Sequence, residues 1–242
     1  MKLHRFFSPT KIDDGVSAME GQTFTFTDVS QQWQKVLRLS RGEQVALFDG
    51  SGHDFLCEIK DYQGNTVVLT ILEKKENRVT AVRDVVLYVA LVKKDTFEWV
   101  VQKATELGVS DIVPVIAERS EKKNINIERL QKIITEASEQ SGRGVLPGLH
   151  DIVSLVDAVE AAKVRDGKVT QMIAFDPTGI KMSEQEIKNT PDQVGIFIGP
   201  EGGWSMKELD YFRKSGVAVY SLGPQILRTE TAVVAALSKI VF

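Results

Sequence analysis

The stretch Val194-Gly195-Ile196-Phe197-Ile198-Gly199-Pro200-Glu201-Gly202-Gly203-Trp204-Ser205-Met206-Lys207-Glu208 decides the fold. It opens on a continuous apolar run and turns on glycine and proline. It then presents Ser205 and Glu208 three residues apart, the pattern of a capping box at a helix start. Strand, stiff loop and helix in that order form one βα unit. The helix is expected to stop at Gly216, a strand to occupy Val217 to Leu222, and Thr229 to cap a last helix running to Phe242.

The same alternation extends back along the chain. Met172 to Phe175 reads as a strand. Asn126 reads as the cap of a helix with Ile127, Leu130, Ile133, Ile134 and Ala137 on one face, closing at Gly142. Ile112 to Ile116 reads as a strand whose Pro114 suggests an edge or a strand end. Asp95, with Glu98 three residues on, is expected to cap a helix carrying Phe97, Val100, Val101, Ala104 and Leu107 and ending at Gly108. Val85 to Val92 is apolar throughout, as expected of a strand buried on both faces. Strands alternating with helices predict an α/β domain with a parallel sheet over residues 80–242.

Residues 1–75 read differently. Thr23 to Phe26, Gln44 to Phe48, Phe55 to Ile59 and Thr66 to Leu72 are strand-like, with turns at Asp49-Gly50-Ser51-Gly52 and Gln63-Gly64-Asn65. A helix is expected around Gln31 to Leu39, and short strands at this spacing predict a small barrel or sandwich. Charged Glu73 to Arg83 reads as a linker.

Composition sets bounds on function. The chain has 242 residues, 43% hydrophobic and 26% charged, with a formal net charge of −3. Nonspecific nucleic-acid binding through bulk charge does not fit that balance, so any RNA contact needs a local basic patch. The one cysteine, Cys57, lies in an alternating run and reads as a buried strand thiol, which suits a reducing compartment. His4, His53 and His150 lack metal-ligand spacing, so no metal is expected. Neither a secretory leader nor a bilayer-spanning run is recognisable, and a cytoplasmic protein is expected.

Ligands of open α/β sheets bind at the carboxyl ends of strands. Three such ends carry unusual residues: Asp176-Pro177-Thr178-Gly179 after Phe175, Gly199-Pro200-Glu201-Gly202-Gly203 after Ile198, and Gly223-Pro224-Gln225-Ile226-Leu227 after Leu222. Each alone is an ordinary βα turn; three together point to a ligand. No phosphate-binding glycine pattern is present, and lysine is scarce in these loops, so a flat heterocycle held by backbone amides and apolar walls fits better. Arg228 and Glu230 straddle the start of the last helix. They are equally compatible with a catalytic pair and with a solvated arginine beside an acidic first turn.

At these loops the sequence resembles the RsmE family of SPOUT-class methyltransferases, which make N3-methyluridine in small-subunit ribosomal RNA. Ile198 to Ser205 and Leu222 to Ala232 look like its two signature loops. Arg5-Phe6-Phe7, Val36-Leu37-Arg38, Leu47-Phe48-Asp49-Gly50, Lys103 to Val109, Glu118-Arg119-Ser120 and Glu139 to Arg143 match in order along nearly the whole chain. The resemblance implies a PUA-like N-terminal β-barrel for RNA, a C-terminal α/β domain with a trefoil knot, S-adenosylmethionine as cofactor, and a homodimer. It implies 16S rRNA as substrate, within the 30S subunit. Gln32 stands where the family often has histidine, which takes a histidine contact to RNA out of what the resemblance implies.

On that footing Phe175, Asp176, Ile198, Gly199, Glu201, Gly203, Leu222, Gly223, Ile226, Leu227, Thr229 and Ala232 are expected to hold the cofactor. Arg228 is expected to stabilise charge on a uracil oxygen, and Glu230 to orient it or assist proton loss. Arg5, Arg38, Lys94, Arg119, Lys122, Lys123 and Arg143 are the candidate RNA contacts. The alternatives are a noncatalytic ribosome-assembly factor, an enzyme methylating a ribose hydroxyl or another base, and a plain nucleotide-binding enzyme.

Overall fold

The computed structural model describes residues 3–12, 21–27, 29–79, 81–120, 124–165 and 168–242. In chain order the strands and helices are β1 (His4–Phe7), β2 (Thr23–Thr27), β3 (Gln44–Phe48), β4 (His53–Gln63), β5 (Thr66–Glu76), β6 (Asp84–Ala90), α1 (Lys94–Glu106), β7 (Asp111–Ile116), α2 (Ile127–Ser141), β8 (Gly148–Leu149) and β9 (Val153–Ser154). They continue with α3 (Leu155–Lys163), β10 (Val164–Arg165), β11 (Lys168–Val169), β12 (Gln171–Lys181), α4 (Glu184–Lys188), β13 (Gln193–Ile198), α5 (Met206–Lys214), β14 (Ala218–Ser221) and α6 (Thr229–Val241). The chain divides into two compact units: Met1–Thr80 with Ser138–Leu146, and Ala81–Ala137 with Pro147–Phe242.

The first unit holds, among the described residues, a 5-stranded sheet in the order β1-β3-β4-β5-β2. Alternation along β3, β4 and β5 turns Val45, Leu47, Phe55, Cys57, Ile59, Val67 and Leu69 into one core. The linker expected from Glu73 onward is in part strand: Glu73, Lys74, Lys75 and Glu76 pair with Leu56, Phe55, Asp54 and His53. Their charges are the solvated continuation of β5, whose earlier half carries the apolar alternation. The helix expected around Gln31 to Leu39 is a single π-helical turn, Gln32–Val36. It closes through Leu37 N–H to Gln32 C=O (3.0 Å), and the following bond runs from Leu39 N–H to Trp33 C=O (2.8 Å). The turn drives Trp33, fully buried, onto Phe6 with ring centroids 4.5 Å apart. Arg38 ends it in the left-handed region, φ 57°, where glycine usually sits.

Ser138–Leu146, expected to stay with the α/β domain, joins this unit through specific bonds. Arg5 Nη1 donates to Ser138 C=O (3.1 Å) and Nη2 to Arg143 C=O (3.0 Å). Phe7 N–H donates to Glu139 Oε1 (2.9 Å), and Asn77 Nδ2 to Gly142 C=O (2.9 Å).

The second unit is built on a 7-stranded sheet, again among the described residues. Its path is β14-β12-β13-β6-β7-β8, with β9 beside β7, and every pairing is parallel. β6 is buried on both faces, as its apolar run requires. Pro114 falls where the short outer strands leave a gap: β8 pairs with Asp111 and Ile112, β9 with Val115 and Ile116. Such an edge tolerates a residue with no N–H.

Two caps differ from expectation. Lys93, not Asp95, is the N-cap of α1, and Asp95 lies in the first turn. Arg228, not Thr229, is the N-cap of α6. The other caps follow the sequence: Ser205 and Glu208 form a capping box, and Asn126 Oδ1 accepts Arg129 N–H at 2.9 Å.

Candidate cofactor site

Register alone brings the three loop segments together. Phe175 on β12 pairs with Ile198 on β13 and with Tyr220 on β14, so their carboxyl ends lie side by side. The chain leaves the sheet after Phe175 and re-enters at Ile180, which again pairs with Tyr220. Gly179 makes that return possible. A Cβ there would stand 2.5 Å from the Tyr220 carbonyl carbon. Asp176, buried at the start of this excursion, accepts from Thr178 N–H (2.9 Å) and Oγ1–H (2.6 Å) through Oδ1.

The loop after Ile198 is a tight turn, with Gly203 N–H donating to Pro200 C=O (2.8 Å) and Gly203 at φ 67°. Gly199 lies under the buried Trp204 indole; a Cβ would meet its Cε2 at 3.1 Å. Trp204 packs edge-on against Phe212, centroids 5.0 Å apart. The third loop is held by Ser221 Oγ, which donates to Gly223 C=O (2.9 Å). Thr229 Oγ1 donates to Gly199 C=O (3.0 Å). The hydroxyl expected to cap α6 therefore ties the second loop to the third.

These loops enclose a cavity of about 410 Å³, within the range of small-molecule sites. Every residue nominated for a cofactor lines it: Phe175, Asp176, Ile198, Gly199, Glu201, Gly203, Leu222, Gly223, Ile226, Leu227, Thr229 and Ala232. Sequence reasoning missed Thr178, Trp204, Met206, Leu209, Ser221 and Gln225, which line it too. Trp204 lies in the segment that follows Ile198, and its aromatic character is the available signal. The fit to an adenosyl ligand rests on bare backbone. A Cβ on Gly203 would meet nothing within 4 Å, and one on Gly223 (φ 150°) only Gln225 Oε1 at 3.6 Å. Both glycines and the apolar side chains of Ile198, Leu222 and Leu227 line the cavity.

Arg228 and Glu230 do not line the cavity. Arg228 is exposed at the N-cap of α6 and Glu230 is half-buried in its first turn, on either side of the lining residue Thr229. Among the RNA candidates, Arg5, Arg38 and Arg143 belong to the first unit, Lys94 and Arg119 to the second. Arg5 is turned inward: its guanidinium stacks 3.8 Å from the Phe48 ring centroid and pairs with Asp54 at 2.6 Å. Arg38 is exposed, Lys94 faces Glu98 at 3.7 Å, and Arg143 Nε donates to Val145 C=O at 2.7 Å. Arg119 lines the cavity. Lys122 and Lys123 lie outside the described residues. Among the described residues, no group of three or more His, Cys, Asp or Glu is placed to hold a metal, and no helix is long and apolar enough to cross a membrane.

Comparison with known proteins points the same way. A family model described as an RNA methyltransferase domain matches residues 79–241, and one described as an RNA methyltransferase PUA domain matches residues 34–72. The chain is 32% identical over 223 residues to ribosomal RNA small subunit methyltransferase E of Synechocystis sp., covering 90% of this chain and 72% of that protein. With the protein of the same name from Bacillus subtilis it shares 31% over 234 residues, covering 91% and 90%. Two solved structures in complex with S-adenosylmethionine are similar. A Legionella pneumophila methyltransferase superposes with a TM-score of 0.85 at 31% identity, covering 99% of this chain and 97% of that one. Ribosomal RNA small subunit methyltransferase E of Neisseria gonorrhoeae superposes with 0.84 at 28%, covering 98% and 96%.

Proposed function

The chain belongs to the RNA methyltransferase family that includes ribosomal RNA small subunit methyltransferase E, and on that premise we propose that it methylates N3 of a uridine in 16S rRNA with S-adenosylmethionine. The observation that carries the reading is the single cavity formed where the ends of β12, β13 and β14 meet, lined by both signature loops.

S-adenosylmethionine supplies an electrophilic methyl group, so the hard chemistry is the cofactor's. The protein's part is to hold and orient. Gly203 and Gly223 line the cavity with no side chain of their own, Gly199 seats Trp204 at its wall, and Ile198, Leu222 and Leu227 give apolar walls. The bond from Thr229 to Gly199 fixes the two loops against each other before any ligand arrives. Uracil N3 lies on the pairing edge and carries a proton, so the base must be unpaired or flipped out. Arg228 and Glu230 are assigned to charge stabilisation and proton removal. They lie beside the cavity rather than in it, and the same proposal takes the protein as a homodimer in which they act near the subunit interface. The trefoil knot is part of the same proposal, as is a cytoplasmic location.

The test is methylation of 30S particles from a strain lacking the enzyme, using labelled cofactor and nucleoside mass spectrometry. N3-methyluridine is expected at one site. A ribose-methylated nucleoside points to the alternative acceptor, and no transfer by a protein that binds the particle points to an assembly factor.

A further inference from the structure

We infer that Arg119 is a second cation, beside Arg228, that meets the anionic side of the target nucleotide at this cavity, and that Gly202 is bare in order to seat it. The inference rests on the proposed methyl transfer to RNA. Among the described lining residues Arg119 has the one positively charged side chain; the other charges are those of Asp176 and Glu201. It is exposed, so it stands at the rim, where RNA arriving from solvent meets it first. A protein of net charge −3 needs such a cation placed locally.

The seat is built from both sides. A Cβ on Gly202 would stand 3.2 Å from Arg119 Cδ and 3.3 Å from its Cβ, so the arginine stem lies along bare backbone. Gly202 is outside the positive-φ set, so its need for glycine is this close approach rather than its own torsion. Arg119 Nη1 donates to Gly202 C=O at 2.7 Å, using one of the five N–H donors of a guanidinium.

The segment bearing Arg119 is fastened to the start of α5. Glu118 N–H donates to Glu208 Oε1 (2.8 Å), and Ser205 Oγ donates to Glu118 Oε2 (2.7 Å). Ala117 N–H donates to Ser120 Oγ (3.0 Å), closing a turn with Arg119 inside it. Ser205 and Glu208 thus hold Arg119 in place as well as capping a helix. A supporting shell of this kind keeps a functional side chain in one geometry.

The anion has two sources, a phosphate or the charge that develops on uracil as N3 loses its proton. Arg119→Ala, Arg119→Lys and Gly202→Ala would be compared with the natural sequence. The readouts are steady-state methylation of 30S particles, salt-dependent RNA binding without cofactor, and calorimetry with S-adenosylmethionine. A phosphate contact predicts that Arg119→Ala raises KM for the particle and flattens the slope of log affinity against log salt by about 1, with Arg119→Lys restoring it. A contact to the base predicts that kcat falls on the order of 10²-fold with KM unchanged and no rescue by lysine. Either pattern supports the inference, with Gly202→Ala shifting the same parameter by less. Unchanged KM, kcat and salt slope would overturn it, and so would a loss of cofactor affinity that matches the loss of activity. If the natural protein transfers no methyl group but Arg119→Ala still flattens the salt slope, the reaction assignment fails and the RNA contact stands.

Discussion

In the first unit the chain commits its most distinctive side chains to its own interior. Trp33 is fully buried on Phe6, and Arg5 lies over Phe48 with its guanidinium on Asp54 and two carbonyls. In the second unit the distinctive positions are those without side chains. Gly179, Gly199 and Gly202 let Tyr220, Trp204 and Arg119 approach, while Gly203 and Gly223 leave main chain open to the cavity. The same residue type consequently means different things. Arg5 in the first unit is part of the packing; Arg119 in the second is presented at a rim. Substitutions of these packed side chains in the first unit should act on stability with cofactor affinity untouched, and substitutions in the cavity loops of the second should act first on cofactor affinity.

Trp33→Ala presses hardest on that contrast. It should cost about 3–5 kcal/mol of unfolding free energy, as large aromatic deletions do, while S-adenosylmethionine affinity stays constant in calorimetry. Arg5→Ala comes next, at about 2 kcal/mol, because it removes charge-assisted bonds and leaves Asp54 without its cation. Denaturant melts should show the loss, and the salt dependence of RNA binding should not change.

Cys57 sharpens the comparison through pH. Burial pushes its thiol up from 9.0 to about 12, so the folded state keeps the proton after the unfolded chain has released it. Its stabilising contribution is complete below pH 9 and is lost between pH 9 and 12, at about 1.4 kcal/mol per pH unit. Urea melts across that window should fall more steeply for the natural protein than for Cys57→Ala. The smallest effect is expected from Thr229→Val. It removes the hydroxyl bond between the loops and should weaken cofactor binding by about 1 kcal/mol, with the melting midpoint nearly constant.

Much of the second unit was legible because its elements carry strong periodic signals. Val85 to Val92, the Ser205–Glu208 capping box and the run from Val194 to Gly203 each specify one local structure, and their succession specifies a parallel sheet. Short elements were not legible. β8, β9, β10 and β11 are two residues each and α4 is five, too few to show a period. β1, four residues long, is as short of a period, and it finds its place by pairing in parallel with β3. Charge concealed the end of β5, where Glu73 to Glu76 form ladder pairs while facing water.

The site was legible where loop composition decides, and illegible where partners do. The residues expected to hold the cofactor lie at three strand ends and at the start of α6, are picked out by the resemblance as well as by loop composition, and all line one cavity. The cationic nominees came from residue type, which carries no direction. Nothing in the sequence shows that Arg5 turns inward, that Arg119 rests on Gly202, or that Thr229 bonds to Gly199 rather than to its own helix.

Calorimetric titration of S-adenosylmethionine into the natural protein and into Gly199→Val tests the central claim most directly. The valine Cβ would stand 3.1 Å from Trp204 and force the indole and the loop apart. Saturable heat with the natural protein, and none with a variant that still unfolds cooperatively, is the predicted result. Equal binding by both proteins, or no heat from either, would contradict a slot formed by the ends of β12, β13 and β14.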